Sequence, residues 1–195
     1  KYFRTLDYLA ELIGNTSILF ILLLAVLCAL YFLQLSRLSQ LAPTVVKLAY
    51  DQTALYLGAR MSEPLPAQLK QATTGHDVAA LFDDDTIEVF LSSKINWQTN
   101  YWHLALNPAG GLYDGVALEV DYNLKLDHRA AVGADGWTVE IAIPFASLRV
   151  ANPTGQTWKL NFARSRRAGT RENSTWAIVA EHFHEPQAFG ELKFE

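Results

Sequence analysis

The strongest constraint in this sequence is a run without charge. From Ile13 to Ser36 no residue is ionisable to a charged form at neutral pH, and the stretch from Ile18 to Leu33 is almost wholly Leu, Ile, Val, Ala and Phe. With its flanks the run reaches the roughly 20 residues that cross a hydrocarbon core about 30 Å thick. A cleaved leader competes with this reading. Against it, the apolar part exceeds the usual h-region of about 7–15 residues. The sequence Leu33-Gln34-Leu35-Ser36-Arg37 that follows also offers no small-x-small cleavage site. One retained transmembrane helix over residues 13–36 is therefore expected.

Residues 1–12 read as an amphipathic interfacial segment. Tyr2, Leu6 and Leu9 share a helical face with Ile13, while Arg4, Asp7 and Glu11 fall elsewhere on the wheel. Lys1 and Arg4 flank one side of the run and Arg37 and Lys47 the other, so charge alone does not orient it. In lipid, helices associate through close packing at small residues. Ala25, Cys28 and Ala29, at i, i+3 and i+4, are the expected seam for integral membrane protein partners. Residues 37–44 are a short linker.

From Val45 the pattern changes to alternation. Val45–Tyr50 and Ala54–Arg60 read as two strands joined by Asp51-Gln52-Thr53. In Thr86–Leu91, Ile87, Val89 and Leu91 fall on one face and Glu88 and Phe90 on the other. Tyr101–Leu106 ends at an Asn-Pro-Ala-Gly-Gly turn, and Tyr122–Val132 is a further strand. Asp135-Gly136 is read as the two-residue turn of a hairpin, with positive φ at both positions. Val139, Ile141 and Ile143 point inward on the strand that follows. Trp158, Leu160 and Phe162 form another inward row, and the chain closes on Gly190–Phe194. A short helix is expected around Ala67–Ala72. Short strands with Gly, Pro and Asn turns predict an all-β, two-sheet antiparallel sandwich over residues 45–195, preceded by the single helix.

The formal net charge is -4, which leaves no basic footprint for nucleic acid. One cysteine, Cys28, excludes an internal disulfide and any cysteine-based zinc site. No phosphate loop, nucleophile elbow or His-Glu-x-x-His is present, so no catalysis is expected. Glu88 and Glu140 could pose as a glycosidase pair, but strand carboxylates on a solvated face explain them more simply. Asp83-Asp84-Asp85 could offer calcium oxygen ligands but lacks EF-hand spacing. His182 and His184 do not complete a metal site, and Met61 has no evident second haem ligand. No metal or cofactor is expected. Arg164, Arg166 and Arg167 form a basic cluster near a loop, either solvated or paired, or else a docking surface for an acidic partner.

The segments VKLAYDQTALYLGAR, DDDTIEVFLSS, NPAGG, DGWTVEIAIPFASL, WKLNFARSRR and FHEPQAFGELKFE occur in this order. Together they resemble the family 9 carbohydrate-binding modules. The resemblance implies a jelly-roll-like sandwich outside the cytoplasm, with residues 1–12 inside. It also implies a sugar site of two stacking rings and polar side chains. Carried over, the rings fall on Phe82 and Phe183, and the polar positions on Asp85, Glu88 and Ala105. Two Trp rings of sugar-binding members are Phe here, and Ala105 offers no donor.

Two functions follow. One is a non-catalytic, membrane-anchored accessory subunit of a larger membrane complex, such as an electron-transfer or photosynthetic assembly, with a degenerate sugar site. The other is a membrane-tethered receptor for extracytoplasmic glycan. The space between Phe82 and Phe183 separates them: an open slot with Glu88 pointing in favours sugar, and a covered one favours the subunit.

Overall fold

The computed structural model describes residues 20–33, 42–93, 100–116 and 123–195. The chain divides into two compact units, Lys1–Leu41 and Ala42–Glu195.

In the first unit, residues 20–33 are helical and their side chains are exposed, Ala25, Cys28 and Ala29 among them. Among the described residues no helix is long and apolar enough to cross a membrane. The interfacial segment expected at residues 1–12, the ends of the expected span at 13–19 and 34–36, and residues 37–41 of the linker lie outside the described residues.

The second unit is a two-sheet antiparallel sandwich. One sheet has the order β1 (Thr44–Tyr50), β2 (Ala54–Ser62), β7 (Gly136–Pro144), β6 (Asp127–Gly133). The other runs β10 (Gly190–Lys193), β8 (Thr157–Arg166), β3 (Thr86–Ser92), β4 (Trp102–Leu106), β5 (Leu112–Val116), with β9 (Glu172–Thr175) also paired to β8. Strand side chains alternate between faces. The facing rows therefore meet in one core: Leu55, Leu57, Val139, Ile141 and Ile143 from the first sheet, Ile87, Val89, Leu91, Leu104, Trp158 and Leu160 from the second. This is the inward set that alternation predicts. Met61 is fully buried in the same core and serves packing.

Local departures have local causes. The β6–β7 turn is Ala134-Asp135, one residue earlier than expected, and Gly136 opens β7. Gly136 has φ 143, and a Cβ there would lie 2.1 Å from the Met61 carbonyl oxygen. Its glycine answers a close approach of β2, where it pairs with Ser62, rather than a two-residue positive-φ turn. The helix expected at Ala67–Ala72 is only a 3-10 turn at Pro66–Gln68. The chain extends after it because the Lys70 N–H donates to the Asp85 carboxylate at 2.8 Å. Tyr122 lies outside the described residues, 123–126 are irregular, and β6 begins only at Asp127.

Candidate functional site

The outer face of the six-stranded sheet, turned away from the first sheet, carries the unusual chemistry. Register sets Glu88 opposite Ala105 on one side and Ala163 on the other, and Phe90 opposite His103 and Asn161. Ala105 in turn faces Tyr113. On a solvated sheet face such residues would be exposed, yet every residue of β3 is buried. Two chain segments cover them. The 3-10 turn Ala79–Asp83 brings Leu81 and Phe82 against Ala105 and Tyr113. The segment around the 3-10 turn Pro186–Ala188 brings Phe183, before it, and Phe189, just after it, against Phe90, Tyr101 and Ala163.

His103 is the centre of this face. Its ring lies flat on Phe90, with centroids 4.5 Å apart and planes at 7°. Phe82 stacks at 6.0 Å, and His184 meets it edge-on at 4.7 Å. His103 Nε2 is 2.8 Å from Glu88 Oε2, and both residues are almost fully buried. His184 Nδ1 is hydrogen-bonded to the Tyr101 hydroxyl at 2.8 Å. Burial, with the like charges of His103 and His182, pushes the His184 imidazole down to about 4. Burial also raises the Tyr101 and Tyr113 phenols, so both remain protonated. The face thus offers polar groups walled by rings, at which a ligand with apolar patches and hydroxyls could stack and hydrogen-bond.

The covering segments are themselves held by carboxylates. Glu185 accepts the N–H groups of Ala180, Glu181 and His182 at 2.8, 2.6 and 2.8 Å, and these bonds hold its carboxyl down to about 2. That clasp fixes the turn presenting Phe183 and His184. Asp84 accepts the Ala72 and Thr73 N–H groups and the Asn107 side-chain amide. Burial opposes ionisation of Asp84, but these donors outweigh it and hold the carboxyl below its ordinary range.

The structure sorts the sequence candidates. Phe82, Glu88 and Phe183 come to one face, with the two phenylalanines half-buried. A chain of ring contacts runs from Phe82 through His103 to His184, next to Phe183. Glu88 points to this face but is capped by His103 rather than open. Asp85 is a correction: it is fully buried, and its oxygens accept the Lys70 and Arg167 N–H groups. It sits one residue out of phase with the outward row Thr86, Glu88, Phe90 and clamps loops instead of facing a ligand. Asp83, exposed, is the one acid of the triplet left outside these clamps.

The basic patch is also corrected. Arg164 and Arg166 continue the inward row Trp158, Leu160, Phe162 of β8 and are buried. Arg166 grips Glu63 through two bonds of 2.6 and 2.8 Å, and Arg164 donates to the Ala42 and Ser62 carbonyls. Burial would raise the Glu63 carboxyl, but the bonds from Arg166 and the Leu65 N–H hold it down. Neither arginine is free to meet a partner. Arg167, half-buried, bonds the Asn173 side chain and the Arg166 carbonyl. Glu88 and Glu140 lie in different sheets, and Glu140 is exposed on the outer side of its own, so they do not flank one bond. His182 turns to solvent while His184 turns inward, so the two share no ligand geometry.

Sequence reasoning missed His103. His103 was legible in principle, because it shares strand parity with Ala105. Trp97, Tyr101, Trp102 and Tyr113 read from sequence as core or as an exposed aromatic contact; the last three are buried, and Trp97 lies outside the described residues.

No curated protein matches this chain. A Bacteroides uniformis protein with a proposed carbohydrate-binding role shares its fold with TM-score 0.66 at 20% identity, over 79% of each chain. A family 9 carbohydrate-binding module of Caldicellulosiruptor kristjanssonii, solved with cellotriose, aligns with TM-score 0.61 at 20% identity, over 79% of this chain and 75% of that one. The glucose complex of a family 9 module from the same organism gives 0.62 at 19%, over 79% and 77%. At these identities the likeness speaks for the fold. The family model described as carbohydrate family 9 binding domain-like matches residues 32–195, and the chain belongs to that family.

Proposed function

We propose that the sandwich is a non-catalytic carbohydrate-binding domain that takes a glucose-type unit at the outer face of the six-stranded sheet. The observation that carries this reading is the gathering of two half-buried rings, Phe82 and Phe183, around the polar Glu88–His103 pair. Apolar sugar faces stack on such rings, and hydroxyls need oriented partners beside them. The solved family 9 relatives with cellotriose and glucose supply the ligand class. Ala105 and Ala163 offer no side-chain donor where the face could have carried one. Glu88 is capped by His103 and both are almost fully buried, so the slot between Phe82 and Phe183 is covered rather than open, and binding should lean on stacking and be weak. The second, polar contact that Arg164 and Arg166 would have given an accessory subunit is committed within the fold.

The domain is further proposed to stand outside the cytoplasm, tethered through the charge-free run Ile13–Ser36, with residues 1–12 inside. The support is the length and apolarity of that run in the sequence.

Calorimetric titration with glucose, cellobiose and cellotriose tests the binding. Saturable binding is expected, weakened at least tenfold, about 1.4 kcal/mol, by Phe183→Ala. Glu88→Gln should weaken it as well while keeping the side-chain shape. Titrations that stay flat for every sugar, or are unchanged in Phe183→Ala, would sink this reading.

A further inference from the structure

We infer that His76, Asp77 and Asp114 form a site for one divalent cation of the zinc class. His76 Nε2 contacts Asp114 Oδ1 and lies 3.6 Å from Asp77 Oδ1. The three ligand atoms all lie within 4.8 Å of one another. Ligands around a tetrahedral zinc at its ordinary bond lengths sit about 3.4 Å apart, so His76 and Asp114, now in direct contact, part slightly to admit an ion while Asp77 closes in.

The backbone holds these residues together from distant parts of the chain. His76 makes an isolated parallel bridge with Leu112. The Asp77 N–H donates to the Leu112 carbonyl at 2.9 Å, and the Leu112 N–H donates to Gly75 at 3.0 Å. The Asp114 N–H reaches Asp77 Oδ1 at 3.2 Å. The segment before Val78 is therefore laced to β5, and the three side chains converge without help from a ligand.

Charge is the argument for a cation. The Asp114 side chain has no exposed surface, and an ionised carboxylate is expensive to bury unless it is paired. Its second oxygen accepts the Leu124 N–H. Asp77 brings a second negative charge beside it. A divalent ion held between them offsets both charges. One imidazole nitrogen with two carboxylate oxygens is a borderline donor set that suits zinc better than calcium, which prefers oxygen throughout. Asp77 and His76 are partly exposed, so the ion has an entry path and a solvent-facing coordination position. This inference stands apart from the sugar reading, since Glu88 and His103 take no part in it.

The test is calorimetry on the untagged full chain after chelator treatment, with zinc chloride and calcium chloride as separate titrants. The expected result is one zinc per chain, bound at least tenfold more tightly than calcium. His76→Ala should weaken zinc at least tenfold. Asp114→Asn buries a new amide and could unfold the domain, so the partly exposed Asp77→Asn is the second variant. It should weaken zinc comparably while its urea unfolding in chelator matches the parent. Three results would each overturn the inference: no saturable uptake, calcium bound as tightly as zinc, or zinc uptake undiminished in both variants.

Discussion

The two sheets of this sandwich treat their outer faces differently. On β1, β2, β6 and β7 burial alternates along each strand, with one side in the core and the other towards solvent. On β3 and β4 every residue is buried on both sides. β3 alternates in sequence as regularly as β2 and β7, so strand pattern is not the difference. The six-stranded sheet is roofed by the turn at Ala79–Asp83 and by the segment clasped by Glu185. A sheet face that is polar, aromatic and roofed is costly to build, because Glu88 and His103 must satisfy each other out of water. Such a face is the place to look for function. The plain outer face of the other sheet, with Thr138 and Glu140 exposed, carries no comparable cost.

The largest expected effect tests whether the roofed face is truly a second interior. Phe90 has no exposure although it points away from the main core. Phe90→Ala should cost about 3–5 kcal/mol in urea unfolding, as a core phenylalanine does. A loss under about 0.5 kcal/mol, the range of ordinary surface changes, would mean that the roof is open in solution and the contrast between the sheets is false.

A smaller effect comes from pH. His184 ordinarily titrates at 6.5 and is pushed down to about 4 in the fold. Between those values the unfolded chain takes up a proton that the folded chain refuses. The stability this group contributes is complete above about 6.5 and is lost as pH falls towards 4. A nuclear magnetic resonance titration of the His184 ring should show a midpoint well below 6.5, and Phe183→Ala, by opening the roof, should move it up. A parent midpoint at or above 6.5 would show the imidazole in water.

The smallest effect is expected on the plain face. Glu140→Ala and Thr138→Ala should each change unfolding free energy by no more than about 0.5 kcal/mol. A cost of 2 kcal/mol or more for either, on the order of a buried truncation, would reveal a hidden partner for this sheet and remove the asymmetry.

Much of the fold was legible because its strands carry their inward rows openly. Ile87-Val89-Leu91 and Trp158-Leu160-Phe162 read directly from alternation, and the core contains both. The strands that escaped notice, β5 and β9, have no such row. Leu112–Val116 is broken by Asp114 and Gly115, and Glu172–Thr175 is wholly polar. Their pairing comes from neighbours rather than from their own pattern. Of the site, Phe82, Glu88 and Phe183 were legible only through resemblance, because stacking rings far apart in sequence share no local period. By charge alone Arg164 and Arg166 resemble a surface patch, but strand parity decides their side. Their even-numbered phase with Trp158 already placed them inward.

What the sequence determined by itself is the division into a charge-free run and an alternating domain, the strand faces, and family membership. These depend on short-range periodicity and composition, which each segment carries alone. Tertiary structure decided the rest. It made Asp84, Asp85 and Glu185 loop clamps rather than ligands, because their partners are backbone N–H groups that only folding delivers. It joined Glu63 to Arg166 across the sandwich, and His103 to Glu88 under a roof of rings. It brought His76 and Asp77 to Asp114 across a gap that no local pattern spans, and there the balance of buried charge, not sequence spacing, argues for a cation.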